Sequence, residues 1–377
     1  MNFELTEEQL LIGQSARDFG KEYLEPIAVE LDNTGEFPKK IIQALAKHDF
    51  LGLLLPDDVG GAAAGFVSYV EVIEDLSRYS AAVASIVNNH TIAAYAIQTW
   101  GTAEQKKQYL PGMAKGETLG GFAIYEHGPT PGVGPDALVA TKQDVGYVLN
   151  GKKAFVRNAG EAGVYVVFAT TDTALGAKGL TAFVVAANAI GVKVGEKHET
   201  MGLKGCPVAD ITFENVVLPQ TALLGTVNGG AAIADKALAV AAVAEAAQTV
   251  GIGQAAVEHA AAYAKQRVQF GKPVATLQAI QTLLAEVATD CHMARLGLRN
   301  AALLIEDGKP FEVEAAMLKS FLARLGSKML VDTCQVEGGF GYSESMPLPR
   351  LFRDIAGTNL LDAPGDFPEK LIAESIS

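Results

Sequence analysis

One carboxylate stands apart in this sequence because of its surroundings. Glu245 is the only acidic residue in the stretch 236–257, where Ala and Val dominate. A lone Glu on an apolar helix face is costly to bury unless it is paired or functional. Two interpretations therefore stay open: Glu245 is a general acid or base in a pocket, or it is satisfied by a buried Arg or Lys.

Other residue types that support chemistry are sparse. Cys206, Cys291 and Cys334 are widely spaced and form no C-x-x-C pair. We interpret them as buried thiols in a reducing compartment, without a disulfide framework. His127 is a lone histidine in a loop, a setting more often structural than catalytic. We predict no metal site.

The composition excludes several classes of protein. The chain has 377 residues, of which 49% are hydrophobic, enough for the cores of two or three domains. The net charge of −13 disfavours nucleic-acid binding, because phosphate contacts need a basic face. The first residues lack the pattern of a signal peptide, and the apolar stretch 237–250 is too short to span a membrane. We therefore expect a soluble, cytoplasmic protein with no nucleic-acid partner.

The element pattern changes twice along the chain. Residues 1–118 show apolar residues at helical spacing. Residues 119–226 contain short β-branched runs, one of them predicted to end in a hairpin turn at Asn150-Gly151. Residues 227–377 return to long helical patterns. Helices are predicted there over 231–265, 276–306 and 311–336. Segregated blocks of this kind predict an α+β multidomain fold with a helical, a β and a second helical domain.

A series of motifs in this chain resembles those of the acyl-CoA dehydrogenase family, over essentially the whole length. Each motif is weak alone, but their common order and spacing make the set specific. In chain order they are Pro56-Asp57-Asp58-Val59-Gly60-Gly61, Gly101-Thr102-Ala103-Glu104-Gln105, Leu149-Asn150-Gly151-Lys152-Lys153-Ala154-Phe155, Met201-Gly202-Leu203-Lys204-Gly205, Arg267-Val268-Gln269-Phe270-Gly271, Gly338-Gly339-Phe340-Gly341-Tyr342 and Arg353-Asp354.

The resemblance implies an N-terminal helical domain, a middle β-barrel-like domain and a C-terminal four-helix bundle, with FAD bound between domains. It also implies a tetramer built as a dimer of dimers, in which a neighbouring subunit helps to hold the adenine end of FAD. The family positions for that contact hold Arg267, Phe270, Gln335, Gly338 and Gly339. An Arg fork suits a pyrophosphate, and glycines let the backbone approach it.

The reaction implied by the resemblance needs a carboxylate base to remove a proton next to a thioester. The family's usual base is a Glu shortly after the Arg-Asp pair, and counting without a gap places Asp362 there. Asp is one methylene shorter, and a misplacement of about 1.5 Å can cost about 10²-fold in rate. Asp362 is therefore interpreted either as a repositioned base or as a loop acid with no catalytic role.

Some family members place the base on the helix that starts the C-terminal domain. That position is Ala241 here, which cannot serve, and Glu245 follows one turn later. Positions 241 and 245 share one helix face, which lines the acyl pocket in the family. The resemblance thus makes Glu245 a second candidate for the catalytic carboxylate.

Of three positions expected to contact the flavin ring, two depart from the family pattern. Tyr125 replaces a Thr that touches the ring, and Phe155 keeps an aromatic wall. Arg157 replaces a Thr whose hydroxyl meets the ring nitrogen N5. A cation there could favour negative charge on the flavin, pair with Asp362 or bind a carboxylate of the substrate, or it could turn away to solvent.

Three functions remain open after this comparison. The first is an FAD-dependent acyl-CoA dehydrogenase or reductase with a non-standard base, for which the resemblance implies an electron-transfer flavoprotein as partner. The second is altered flavin chemistry on the same fold, such as desulfination. The third is a catalytically degenerate subunit of a mixed tetramer, favoured by Ala239 and Ala242, which replace the family's contacts to the CoA arm. We rank them in this order.

Overall fold

The computed structural model describes residues 4–128, 132, 137–360 and 367–377. Within these ranges the elements follow the predicted order of helical, β and helical blocks, so the predicted fold class is confirmed. The helices of the first block are α1 (Glu7–Phe19), α2 (Ala28–Thr34), α3 (Lys39–Lys47), α4 (Gly65–Tyr79), α5 (Ala81–Trp100) and α6 (Ala103–Ala114).

The start of α6 shows how one motif positions two blocks. Thr102 and Gln105 form a capping box, in which each side chain accepts a hydrogen bond from the other's backbone N–H. The Gln105 amide also donates to the carbonyls of Thr221 and Leu223, at 2.9 and 3.0 Å. The motif therefore begins a helix and ties the first block to the end of the β block.

The middle block is one mixed sheet in which the strand order is β6-β7-β3-β2-β4-β5-β8, with β1 parallel to β4. Its longest pairing joins β3 and β7 in antiparallel register. The strands are β1 (Gly120–Ala123), β2 (Val139–Gln143), β3 (Gly146–Arg157), β4 (Val164–Thr170), β5 (Leu180–Ala186), β6 (Val192–Lys197), β7 (Val208–Pro219) and β8 (Leu223–Leu224).

The hairpin predicted at Asn150-Gly151 is wrong. Both residues lie inside β3, at a register shift where the strand bulges against β7. The tight turn instead joins β2 to β3 through Asp144 and Val145, since Gln143 pairs with Gly146. An Asn-Gly pair also suits a bulge, because Gly supplies the positive φ (136°) that a bulge can require.

The third block is built around one long helix. The helices are α7 (Gly230–Gln266), α8 (Gln278–Glu306), α9 (Glu312–Glu337), α10 (Leu348–Leu360) and α11 (Phe367–Ile376), and the two-stranded hairpin of β9 (Val268–Gln269) and β10 (Lys272–Pro273) follows α7. The three helices predicted from the sequence are confirmed to within two residues at each end. The helix α7 packs against α4, α5, α8, α9 and α10.

Two glycines let α7 approach its neighbours closely. A Cβ at Gly251 would lie 2.2 Å from the carbonyl oxygen of Glu74 on α4. A Cβ at Gly253 would lie 3.0 Å from the sulfur atoms of Cys291 and Met329. The predicted helix therefore continues through both glycines because the packing around them has no room for side chains.

The Arg353-Asp354 pair on α10 fastens the third block to the other two. Arg353 donates to both carboxylate oxygens of Asp32 at 2.7 and 2.5 Å, and Asp354 accepts from the backbone N–H of Leu203 at 2.7 Å. Burial raises the pKa of Asp354 to about 6. This motif therefore has a structural explanation in the described contacts.

Candidate active site

The residues predicted for the adenine end of FAD come together. Arg267, Phe270, Gln335, Gly338 and Gly339 line one cavity of about 560 Å³, which we call the cofactor groove. Arg267 follows the end of α7, and Phe270 lies in the turn of the β9–β10 hairpin. Gln335 belongs to the last turn of α9, and the glycines follow that helix.

The groove has the chemistry that FAD needs. A Cβ at Gly338 or Gly339 would meet no atom of the described residues within 4 Å, so the glycines leave the backbone open to a ligand. Gly338 also has φ +61°, which favours glycine at the end of α9. A guanidinium, an amide and an exposed aromatic ring surround this open backbone. The residues present therefore fit a pyrophosphate and a base.

Phe155 lies elsewhere, on the surface of the β block at the end of β3. It is 54% exposed and adopts φ +52°. Asp210 accepts the backbone N–H of Phe155 at 3.2 Å and contacts the imidazoles of His127 and His198 at 2.6 and 2.9 Å. His127 therefore has a structural partner, as expected for a lone loop histidine, and Asp210 is a contributor that the sequence did not indicate.

Arg157 is buried where the β block meets α5. The backbone carbonyl of Arg157 accepts a hydrogen bond from the side-chain amide of Asn89 at 2.9 Å. The side-chain amide of the next residue, Asn158, donates to the carbonyls of Ile86 and Gly120, both at 3.1 Å. Arg157 is 5% exposed, so its side chain points into the protein and not to solvent. Of the alternatives left open for Arg157, the orientation toward solvent is therefore excluded.

Glu245 meets Arg157 in the interior. The Glu245 side chain is 1% exposed, and Lys319 Nζ on α9 lies 2.5 Å from its Oε2. Arg157 Nη2 lies 3.7 Å from its Oε1. Burial lowers the pKa of Lys319, and the Glu245 carboxylate opposes that shift. These three residues, which we call the buried triad, match the interpretation of Glu245 as a carboxylate satisfied by a buried Arg or Lys.

Further polar side chains surround the buried triad. The Tyr69 hydroxyl donates to Asn88 Oδ1 at 3.1 Å, and Ser85 donates to Gln248 Oε1 at 3.2 Å. Burial raises the pKa of the Tyr125 hydroxyl, and the Glu245 charge raises it further, so Tyr125 lies close enough to feel that charge. The sequence did not indicate Lys319, which lies in the helical pattern of α9 without a local signal for its distant partner.

The remaining residues discussed from the sequence are Asp362 and the three cysteines. Asp362 lies outside the described residues. Burial raises the pKa values of the Cys206 and Cys291 thiols to about 11 and about 12, while Cys334 is only half-buried. Within the described ranges, no three His, Cys, Asp or Glu side chains are grouped to bind a metal. None of the helices in those ranges has the length and apolarity to cross a membrane.

The protein combines three blocks, helical, β and helical, with an open groove in the third block and a buried ionic cluster where that block meets the β block. This combination is typical of a flavin-dependent oxidoreductase. Models of the N-terminal, middle and C-terminal domains of acyl-CoA dehydrogenase match residues 6–117, 130–216 and 228–376. The chain belongs to the acyl-CoA dehydrogenase family. It is a flavoenzyme of this family, and the predicted cofactor FAD is confirmed, since solved FAD complexes are among its structural neighbours.

Relatives match the chain over nearly its whole length. A 3-(aryl)acrylate reductase of Clostridium sporogenes (strain ATCC 15579) is 38% identical, with 98% of this chain and 99% of the relative covered. The caffeyl-CoA reductase-Etf complex subunit CarC of Acetobacterium woodii is 35% identical, with 98% of each covered. The solved butyryl-CoA dehydrogenase of Megasphaera elsdenii is 33% identical, covers 100% of both chains and superposes with a TM-score of 0.96.

Proposed function

We propose that this protein interconverts a saturated and an α,β-unsaturated acyl-CoA thioester, and that it works as a reductase. The convergence of Arg157, Glu245 and Lys319 from three elements at the junction of the blocks is the observation that carries the proposal. The resemblance expects the acyl pocket and the flavin ring at this junction. The names of the two reductases among the relatives support the direction.

In this proposal the cofactor groove holds the adenine and pyrophosphate end of FAD. Arg267 pairs with phosphate oxygens, the Gly338-Gly339 backbone approaches them, and Phe270 and Gln335 contact the base. When bound, FAD supplies the site for hydride transfer to or from the β-carbon of the acyl group. Tyr125 and Phe155 limit the space for the flavin ring, and the burial of Arg157 keeps water from the reacting carbons.

We assign proton transfer at the α-carbon to Asp362 rather than to Glu245. Glu245 already compensates two buried cations, and its neutral form would remove the negative charge that faces both of them. As the partner of these two cations, Glu245 stays charged and is held at the junction of the blocks. Asp362 occupies the position that the resemblance assigns to the base, so the proposal makes it the proton donor for reduction.

We propose a homotetramer that exchanges electrons with an electron-transfer flavoprotein. The name of the CarC relative includes such a complex, and 98% of the chain is covered in that comparison. Light scattering on the purified protein should give a mass of about four times 39.5 kDa. A monomeric, flavin-free chain that gains flavin only with a second polypeptide would instead favour the mixed tetramer.

Absorbance spectroscopy of the purified protein tests the activity. The wild type should contain bound FAD, and 2-enoyl-CoA thioesters should reoxidise it after reduction with dithionite. Asp362→Asn should keep the oxidised spectrum and lose at least about 10²-fold in the rate of that reoxidation, as expected for a lost acid–base residue. If Asp362→Asn reacts at the wild-type rate, Asp362 is not the proton donor.

A further inference from the structure

Several polar side chains lie along the contact between α5 and α7, among small apolar residues. Ser85 and Asn88 lie on α5, and Glu245 and Gln248 lie on α7. Ser85 donates to Gln248, and the Asn88 amide lies 3.5 Å from the carbonyl of Ala241 on α7. We call these four side chains, together with Tyr125 from the β block, the polar seam.

Three atoms of the polar seam are buried and have no hydrogen-bond partner within the described part of the chain. They are Glu245 Oε1, Gln248 Nε2 and the Tyr125 hydroxyl. Glu245 and Gln248 are 1% and 0% exposed, and the spacing of three residues puts them on neighbouring positions of one helix face. Leaving buried polar groups unsatisfied is costly, so three of them in one place indicate a ligand that satisfies them.

The types of these atoms define the group that fits them. The Glu245 oxygen accepts, the Gln248 amide donates, and the Tyr125 hydroxyl does either. A plain hydrocarbon would satisfy none of them. A carboxylate would accept from the donors but has no hydrogen to donate, so it would leave the Glu245 oxygen unsatisfied. A hydroxyl group has one hydrogen to donate and two lone pairs, so it can donate to Glu245 and accept from both Gln248 and Tyr125, which matches all three atoms.

We infer that the acyl group bound by this protein bears a hydroxyl substituent, which the polar seam recognises. The inference rests on the proposed function, because it places the acyl chain along the face of α7 that contains Glu245. The proposed function leaves the substituent open, and a hydrocarbon acyl chain would be equally compatible with it. The seam therefore sets the substrate class: hydroxylated 2-enoyl-CoA thioesters, with the hydroxyl on the chain or on an aromatic ring.

Matched substrate pairs test the inference on the FAD-loaded enzyme. The probes are 2-enoyl-CoA thioesters of four to eight carbons with and without a terminal hydroxyl, and 3-phenylacryloyl-CoA with and without a 4-hydroxyl. A site built to bind a hydroxyl should give at least about 10²-fold higher kcat/KM for the hydroxylated member of one pair. Calorimetry should show tighter binding of the corresponding hydroxylated saturated thioester.

Two variants separate recognition from folding. Tyr125→Phe and Gln248→Leu should each lower kcat/KM for the preferred hydroxylated substrate about tenfold more than for its unsubstituted partner, as expected for one lost hydrogen bond. Tyr147→Phe is the matched control, because the Tyr147 hydroxyl is also buried and unpartnered but lies in the core of the β block. That variant should change neither value.

The outcomes distinguish this inference from the function on which it rests. If no 2-enoyl-CoA of any kind reoxidises the reduced enzyme, the proposed function fails, and the inference fails with it. If all pairs react within about threefold of each other, the proposed function stands and the hydroxyl inference is overturned. A preference for 4-carboxy-2-butenoyl-CoA over every hydroxylated probe would also overturn it, in favour of an anionic substrate.

Discussion

The cofactor groove and the buried triad differ in how they are built. The groove is open, and its glycines leave space where side chains would otherwise project. The triad is closed: Glu245 is 1% exposed and touches two cations from other elements. The groove is formed by two short segments, 267–270 and 335–339, whereas the triad is formed by three single residues from three different elements. Mutations in the two sites should therefore have different effects. A groove mutation should weaken FAD binding, and a triad mutation should lower the free energy of unfolding.

The largest expected effect concerns the closed site. Lys319→Met removes one cation from the triad and leaves the Glu245 charge poorly compensated in the interior. We expect a loss of about 3–5 kcal/mol in the free energy of unfolding, measured by urea denaturation. The double variant Glu245→Leu/Lys319→Met should recover most of that loss, since apolar pairs replace buried ion pairs at little cost. A loss below about 1 kcal/mol for Lys319→Met would show that the triad is not a closed ionic cluster.

The stability of the buried interior should depend on pH through one histidine. His90 on α5 is buried, accepts the Gly120 N–H at Nδ1 (3.0 Å) and contacts the Leu51 carbonyl through Nε2 (3.2 Å), an arrangement that only neutral imidazole satisfies. Burial lowers its pKa from 6.5 to about 4. Because the unfolded chain binds the proton first, stability falls as pH drops from about 6.5 to 4, by about 3 kcal/mol from this group.

Thermal unfolding between pH 7 and pH 4.5 checks this expectation. His90→Gln should flatten the decline in melting temperature relative to the wild type. The control is His48→Gln, which replaces an exposed histidine instead of the buried one. Identical slopes for the wild type and His90→Gln would contradict the assignment.

A change in the groove should weaken binding without unfolding the protein. Arg267→Ala removes the charged donor proposed to hold the pyrophosphate, so we expect about 10²-fold weaker FAD binding by fluorescence titration. Its melting temperature without FAD should stay close to that of the wild-type apoprotein. Lys272→Ala removes an exposed cation from the same hairpin and should leave the affinity unchanged. Equal effects of the two variants would show that only general charge matters there.

The smallest expected effect on folding comes from a change at Gly339, which we compare with the same change at Gly251. Gly339→Ala places a methyl group in open space, and we expect it to change stability by less than about 0.5 kcal/mol while weakening FAD binding. Gly251→Ala forces a Cβ to 2.2 Å from the Glu74 carbonyl and should cost about 1–3 kcal/mol of stability. Similar stability losses in both variants would remove the contrast between an open and a closed site.

The sequence predicted the parts of the molecule that local patterns encode. Helix α7 was predicted to within a residue at each end, and four of the five groove residues predicted from the sequence, all but Gln335, lie in recognisable motifs. The hairpin at Asn150-Gly151 was wrong because the same two residues suit a bulge, and only pairing with β7 decides between them. Lys319, Asn89 and Asp210 were missed because their partners lie far away in the chain. The assignments of individual site residues, including Asp362, remain predictions.

The length of α7 gives the groove and the triad a fixed separation. Glu245 and Arg267 are 22 residues apart along one nearly continuous helix, which corresponds to about 33 Å at about 1.5 Å per residue. In the proposed homotetramer, the groove that holds the adenine end of one FAD belongs to a second copy of the chain. Mixing Arg267→Ala subunits with Asp362→Asn subunits would then produce some sites in which both residues are intact.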